Sequence, residues 1–390
     1  MQWYFSLLIL AAIWFLIYIM GRYLKLEEKF GWTLGPLFLI IRTKRFNKFL
    51  ERAAKKHARF WRLFGNISIF VGFLMMLTSF GALIFTLVIT LRSSTSLGPT
   101  VGFIIPGVTV SFKTMLYLII PIIITMVPHE IAHGVVSHAD GVELKSTGLA
   151  FFAVFFGAFV EPNEESMNKA SYLTRMRTFA AGMFPNIILG LITIPLLIFS
   201  STVLNPLYHP VDGILINEVV KDSPAYQGGL ERGMVITDIG SVHLDNYATF
   251  MLYMNTTSPN QTLILYTDAG IKSVRLTAHP DNNSTGYLGI FSMDYRAPKS
   301  PIAWKFFPYI FEQELFWTLA VSFGSVLFNA LPIPYILDGD KLLSSTLYHF
   351  MPKKRKTARI ILTVFRYVGI TLFIISLVIP MVKFGFVTLG

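Results

Sequence analysis

The chain has 390 residues, of which 53% are hydrophobic and 14% are charged, whereas a soluble domain carries about 25% charge. The excess apolar residues form long blocks, which indicates a membrane protein and not a large soluble core. The absence of cysteine excludes disulfides, thiolate metal ligands and cysteine nucleophiles. The net charge is +11, and the basic residues cluster beside the apolar blocks. No nucleic-acid-binding motif accompanies them, so we expect no nucleic-acid partner.

Six apolar blocks are long enough to cross a bilayer, which requires about 20 residues. They cover residues 2–20, 66–91, 113–137, 178–203, 313–336 and 359–383. The first block has no basic residue before it and no small-residue cleavage site after it, so we interpret it as a retained anchor. The predicted fold class is therefore an α-helical polytopic membrane protein with about six transmembrane helices.

The distribution of Lys and Arg predicts the orientation of the spans, because cytoplasmic loops are enriched in basic residues. Three stretches are basic, 21–64, 138–177 and 338–358, and they fall at alternate connections between the six spans. We therefore expect these stretches in the cytoplasm. Both termini and segment 204–312 are then extracytoplasmic.

Two apolar stretches, 31–41 and 147–160, are too short to span, and Gly or Pro interrupts each of them. We interpret them as interfacial or re-entrant pieces. Backbone that is not helical is tolerated at membrane depth only where it is buried in protein or lines a wet cavity. A re-entrant piece at 147–160 therefore predicts a cavity.

Segment 206–297 differs from the rest of the chain, because its apolar runs have only strand length and turn residues separate them. We predict a small soluble domain inserted between the fourth and fifth spans. The predicted domains are an N-terminal anchor with a basic cytoplasmic segment, a first transmembrane core, the inserted extracytoplasmic domain, and a second transmembrane core with the last span. Their bounds are 1–64, 65–205, 206–297 and 298–390.

The third span contains the sequence HEIAH at residues 129–133. On a helix, His129 and His133 share one face and can bind one metal ion together, while Glu130 projects about 100° further round. Zinc lowers the pKa of bound water to about 7, and a carboxylate beside that water can take its proton and pass it to a leaving amine. A charged group at this depth costs about 2.5–3.5 kcal/mol, which favours a functional role. The alternative is a polar patch that joins helices by hydrogen bonds.

Catalytic zinc usually has three protein ligands, so the two histidines need a third. Asp338 is the first candidate and Asp340 is the second. The third and fifth spans run in the same direction, which brings HEIAH and Asp338 to a similar depth near the cytoplasmic side. Pro332 and Pro334 interrupt the helix before Asp338 and free the backbone to turn its carboxylate inward. The alternative role for Asp338 is a helix cap at the interface.

These motifs together resemble the site-2 proteases, which are intramembrane zinc metalloproteases that release membrane-tethered proteins. The resemblance includes HEIAH, Asn329 with Pro332 three residues later, and a Leu-Asp-Gly sequence centred on Asp338. A further signature is Gly182 followed four residues later by Asn186. Many members have one residue fewer between the second proline and Leu-Asp-Gly, which leaves Asp340 open as the third ligand.

The resemblance implies a role for each matching residue. It implies a Zn²⁺ cofactor with His129, His133 and Asp338 as ligands and Glu130 as the general base. It implies that Asn186 and Asn329 hold the substrate strand or stabilise the oxyanion. Membrane-spanning or membrane-tethered proteins are the implied substrates.

Segment 155–160 (FFGAFV) resembles the membrane-associated strand of the same family. A helix hides its peptide bonds in its own hydrogen bonds, so a protease must hold its substrate extended, and the edge of a sheet can do so. The resemblance implies substrate contacts at Gly157, Ala158 and Phe159. The alternative is a simple re-entrant packing loop.

The inserted segment resembles PDZ domains, which are small α+β domains that members of the family often carry at this point. Residues 213–216 look like the carboxylate-binding loop, and residues 223–240 look like the following helix and strand. The loop residues are Gly213, Ile214, Leu215 and Ile216. The implied partners are a peptide C-terminus or the ectodomain of a substrate, and a purely structural role is the alternative.

Two other functions stay open at this point. One is a membrane zinc protease of another family, which shares HExxH but usually takes its third ligand from a different motif. The other is not an enzyme: a membrane scaffold or transporter with a PDZ domain and a polar seam between its helices.

Overall fold

The computed structural model describes residues 3–93, 110–153, 155–280 and 282–384. The chain forms two compact units. One contains Met1–Ile194 together with Phe316–Gly390, and the other is Pro195–Leu315. The second unit begins before the predicted inserted domain 206–297 and ends after it. The four-part division of the chain stays a prediction.

The described residues form fourteen helices. Those in the first unit account for most of its residues. In chain order, α1 to α14 are Trp3–Tyr23, Leu26–Phe30, Arg45–Lys56, Ala58–Arg92, Phe112–Ala139, Glu164–Lys169, Tyr172–Ala180, Met183–Ile198, Ser200–Leu204, Pro224–Gln227, Tyr247–Asn255, Phe307–Asn329, Asp338–Phe350 and Arg355–Phe384.

Four helical segments in the described part of the chain are long and apolar enough to cross a membrane. They are Ala58–Arg92, Thr114–Ala139, Tyr172–Ile198 and Arg355–Phe384. These segments overlap the predicted spans 66–91, 113–137, 178–203 and 359–383. The first and fifth predicted spans are also helical, in α1 and α12, but the count of six spans stays a prediction.

An antiparallel sheet of four strands lies in the first unit, in the order β1-β2-β3-β4. The strands are Thr33–Gly35, Phe38–Thr43, Leu144–Phe152 and Phe155–Pro162. Both short apolar stretches, 31–41 and 147–160, therefore lie largely in one sheet. Ile41 pairs with Leu149, which in turn pairs with Ala158. The interpretation of 147–160 as a re-entrant packing loop is wrong, because its backbone groups form β ladders on both sides of β3.

The core of the first unit joins six of its helices. Met76 of α4, Ala180 of α7, Met183 of α8 and Leu342 of α13 are buried in one apolar cluster, to which α12 and α14 also contribute. This packing fixes α13 against α7, and α7 also packs on α5. The beginning of α13 is thereby held close to α7, although more than a hundred residues separate the two helices in sequence.

The second unit contains a sheet in the order β12-β5-β6-β8-β9, with β7 paired to β6, and a separate pair β10-β11. In chain order, β5 to β12 are Tyr208–Val219, Val235–Ile239, Val242–His243, Thr262–Thr267, Gly270–Arg275, Thr277–His279, Asn282–Tyr287 and Ile290–Pro298. The side chains of Ile214, Ile236 and Leu265 are fully buried in its core.

Residues 213–216 have the strand conformation that their short apolar run indicates, and not that of the carboxylate-binding loop that they resemble. Gly213, Ile214, Leu215 and Ile216 lie inside strand β5 and not in a loop. β5 pairs with β12 on one side and β6 on the other, and the side chains of residues 214–216 are at most 1% exposed. Branched apolar residues favour such a doubly paired, buried strand. The identification of this unit as PDZ-like, and its peptide or ectodomain partner, stay predictions.

Candidate metal centre

Helix α5 carries both histidines of HEIAH on one face. His129 and His133 are 6% and 8% exposed, and their ring centroids are 4.8 Å apart. This proximity follows from the four-residue spacing, because positions i and i+4 lie one above the other on a helix. The two Nε2 atoms are 3.1 Å apart and point to the same place.

Asp338 is the first residue of α13, after a loop that follows the end of α12 at Asn329. Within this loop Tyr335 has a left-handed backbone (φ 67°) and is 90% exposed, and Ile336 is 73% exposed. Tyr335 and Ile336, which separate Pro334 from Leu-Asp-Gly, thus form an outward turn. Leu337 occupies the N-cap position, so Asp338 is not the N-cap of this helix.

The three predicted ligands converge in the first unit. Oδ2 of Asp338 lies 3.1 Å from Nε2 of His133 and 3.3 Å from Nε2 of His129. With metal bonds of about 2.0–2.1 Å and tetrahedral angles, neighbouring ligand atoms of a zinc site are about 3.3–3.4 Å apart. The observed triangle of 3.1, 3.1 and 3.3 Å fits that spacing closely. Two imidazoles and a carboxylate are also a donor set that zinc accepts.

Asp340, the alternative third ligand, has a different partner. Its carboxylate accepts two hydrogen bonds from the Arg366 guanidinium of α14, at 2.6 and 2.8 Å. Asp340 is only 4% exposed, so this bidentate pair satisfies a buried charge. Geometry therefore places Asp338, and not Asp340, with the two histidines.

The ring nitrogens on the far side of the histidines also have partners. Nδ1 of His133 lies 2.6 Å from the backbone oxygen of Thr178 in α7. Nδ1 of His129 lies 3.2 Å from the side-chain amide of Asn186 in α8. Such contacts orient metal-binding histidines, because the second nitrogen of the ring usually donates its proton to a fixed acceptor.

Glu130 lies between the histidines and the edge of the four-stranded sheet. Its Oε2 accepts a hydrogen bond of 2.8 Å from the backbone N–H of Val160 in β4. Two residues earlier in the same strand, the backbone nitrogen of Ala158 is 2.7 Å from Sδ of Met126. The amides of residues 158 and 160 thus face α5. Because directions alternate along a strand, those of Gly157 and Phe159 face β3.

A cavity of about 380 Å³ adjoins this centre. Its lining includes His129, Glu130, His133, Asp338, Phe159 and Asn329. Of the residues with a predicted substrate role, Phe159 and Asn329 line the cavity, Gly157 and Ala158 lie in the adjoining β4, and Asn186 is buried behind His129 at 1% exposure.

The model of peptidase family M50 matches residues 117–375, which is more than half of the chain and includes HEIAH and Asp338. This chain belongs to peptidase family M50, the site-2 protease family. The resemblance drawn from the sequence is thereby confirmed, and a membrane zinc protease of another family is excluded. Membership of M50, together with the four apolar helices, indicates an integral-membrane metalloprotease.

Two relatives extend the comparison of this M50 member. An uncharacterized protein of Methanocaldococcus jannaschii is 29% identical over 338 residues, which cover 84% of this chain and 81% of that protein. The membrane-bound transcription factor site-2 protease homolog of Arabidopsis thaliana is 22% identical over 139 residues, which cover 36% of this chain and 27% of that protein.

The residues near the M50 centre that the sequence did not identify include Thr178, Val160 and Arg366. Thr178 and Val160 contribute only backbone atoms, so no side-chain pattern could have identified them. Arg366 did leave a signal, because an arginine inside a predicted span requires a nearby acid. That requirement points to Asp340, which is then not available to the metal.

Gly182 precedes α8 where the two histidine rings come together. A Cβ at this position would lie in hard contact with Nε2 of both His129 and His133, which is the side that a metal ion would occupy. We expect Gly182→Ala to weaken metal binding by about 100-fold, because the methyl group displaces the rings from the ligand triangle. Chelator competition on the purified chain measures this affinity. Gly81→Ala in α4, where a Cβ meets nothing within 4 Å, should leave it unchanged.

Proposed function

We propose that this protein is a zinc metalloendopeptidase that cleaves membrane-spanning or membrane-tethered proteins, as in regulated intramembrane proteolysis. The observation that carries the proposal is the buried triangle of His129, His133 and Asp338 with the Glu130 carboxylate beside it. The triangle lies in the unit that contains the apolar helices, so the proposed chemistry takes place at membrane depth.

The proposed mechanism assigns proton transfer to Glu130. A zinc ion held by His129, His133 and Asp338 would supply Lewis-acid chemistry and would lower the pKa of bound water to about 7. Val160 N–H holds Oε2 of Glu130, which leaves Oε1 to take the proton of the attacking water and later pass it to the leaving amine. His129, His133 and Asp338 supply the metal ligands, and Asn329, which lines the cavity, is placed to contact the bound peptide.

We infer that the substrate binds as an added strand along the edge of β4 that faces α5. Within the described residues, β2 and β3 have strand neighbours on both sides, whereas β4 has a strand neighbour only in β3. At this edge the outward amides belong to Ala158 and Val160, so Ala158 is the residue of segment 157–159 that can pair with a substrate strand. The flexible side chain of Met126 would move aside.

We further propose the orientation that the basic stretches predict. Residues 21–64, 138–177 and 338–358 would then be cytoplasmic, the metal centre would lie toward the cytoplasmic side, and both termini would be extracytoplasmic. The unit Pro195–Leu315 would face the ectodomains of substrates.

The function is tested in two steps. A comparison of the membrane proteomes of wild-type and Glu130→Gln cells should reveal uncut proteins that accumulate in the variant. One of these, with a single cysteine near its cleavage site, is then tested for disulfide cross-linking to Ala158→Cys in the Glu130→Gln background. We expect a cross-link, because neighbouring strands lie about 5 Å apart.

The chain itself has no cysteine, so the cross-link has a clear control. Leu149 lies on β3, pairs directly with Ala158, and has a side chain that is 42% exposed. The control variant is Leu149→Cys. It would be about 10 Å from a strand added to β4 and should not cross-link. Equal cross-linking at both positions would contradict binding at the β4 edge, and an unchanged membrane proteome would contradict the protease.

A further inference from the structure

Asn186 makes an unusual contact with His129. The amide is 1% exposed, and its Nδ2 lies 3.2 Å from Nδ1 of His129 and 3.3 Å from Oγ of Ser325. Its Oδ1 is buried and has no hydrogen-bond partner in the described part of the chain. Either end of the amide can face His129, so the tautomer of that ring decides which way the amide points.

The requirements of a metal ligand fix that tautomer. Nε2 of His129 belongs to the triangle with His133 and Asp338, so it must offer a lone pair to a metal ion. A neutral imidazole carries one proton, which must then be on Nδ1. Nδ1–H needs an acceptor, and an amide nitrogen cannot be one. A half-turn of the amide about its last bond brings Oδ1 to the place that Nδ2 occupies.

We propose that Asn186 is a positioning residue for His129 in the metal site proposed above, with Oδ1 accepting the proton of Nδ1. This orientation gives a hydrogen-bond chain with consistent directions. Nδ2 of Asn329, 3.4 Å from Oγ of Ser325, donates to that oxygen, and the Ser325 hydroxyl donates to Oδ1 of Asn186. Asn186 thus does for His129 what the Thr178 carbonyl does for His133.

This role differs from the substrate contact that the sequence predicts for Asn186. Asn329 lines the cavity, whereas Asn186 is not among the described residues that line it. A side chain that is 1% exposed behind a histidine ring acts on that ring more directly than on a peptide in the cavity. Asn186 therefore belongs to the support of the metal ligands, and Asn329 connects that support to the cavity.

Zinc affinity of the full-length chain in detergent tests the proposal, measured by competition with a chelator without substrate. We expect Asn186→Leu, which has a similar volume and no acceptor, to weaken binding by about 10- to 100-fold. Asn186→Asp keeps an acceptor at the same distance and should stay within about threefold of the wild type. Asn186→Ala, which introduces no bulk, should behave like Asn186→Leu and serves if the leucine variant does not fold.

A matched control comes from the same helix. Thr193 of α8 is buried, and its hydroxyl bonds to the Leu189 carbonyl of its own helix, so Thr193→Val should leave zinc affinity unchanged. Wild-type affinity in Asn186→Ala with a raised KM would overturn the positioning role in favour of substrate contact. Loss of affinity in Asn186→Asp equal to that in Asn186→Leu would also overturn it. A wild-type chain that binds no zinc would instead overturn the metal site itself.

Discussion

Glu130→Gln is expected to reduce the rate of peptide cleavage by about 100- to 10,000-fold, which is the usual contribution of a positioned general base. The amide has the same shape as the carboxylate and can still accept the hydrogen bond from Val160 N–H, so the edge of β4 should keep its place. It cannot take a proton from water. One equivalent of zinc per chain should stay bound, because His129, His133 and Asp338 are unchanged.

The measurement combines a cleavage assay on the purified protein with a zinc determination on the same sample. Glu161→Gln is the matched control, since it changes a carboxylate one residue beyond Val160 on the same strand. The Lys145 ammonium and the Ser146 hydroxyl bind that carboxylate and hold the pKa of Glu161 below its ordinary value. Glu161→Gln should cleave at close to the wild-type rate. Full activity in Glu130→Gln would contradict the proposed protease.

The ligand triangle could be predicted because each of its parts has a local cause. The helical period places His129 and His133 on one face, and the direction of the spans brings Asp338 to a similar depth. What could not be predicted is the path of the chain between Pro334 and Leu337. Tyr335 has a left-handed backbone, a conformation in which non-glycine residues are uncommon. No residue pattern in the sequence predicts it.

The four-stranded sheet shows a second limit. Segment 147–160 resembles a strand of the family, but its partner is β2, which lies about a hundred residues earlier in a stretch that is apolar without alternation. Pairing between distant segments depends on which edges meet after the helices pack. The same limit explains residues 213–216, whose resemblance to a carboxylate-binding loop does not reveal that β12 and β6 pair with them on both sides.

Asp338→Asn and Asp340→Asn form the second decisive experiment, because they remove equivalent carboxylates two residues apart. Structural zinc sites bind with about 10–16 kcal/mol, so one of four ligands contributes about 2.5–4 kcal/mol, or roughly 100- to 1,000-fold in affinity. We expect Asp338→Asn to lose zinc affinity on this scale and to lose cleavage with it. Its carboxylate oxygen completes the triangle with both histidines, and an amide oxygen carries no charge to offer the ion.

Asp340→Asn should instead lower the stability of the protein and leave its zinc affinity unchanged. It leaves the Arg366 guanidinium without its carboxylate and so weakens the attachment of α14 to α13, at a cost of about 1–3 kcal/mol. A lowered denaturation midpoint with unchanged zinc affinity is the expected result, and chelator competition and thermal unfolding of the same two preparations measure it. Loss of zinc in Asp340→Asn with retention in Asp338→Asn would exchange the two roles. The outward turn at Tyr335 argues against that exchange, since it lets the chain keep Asp338 toward the histidines while Asp340, two residues further round the helix, reaches Arg366.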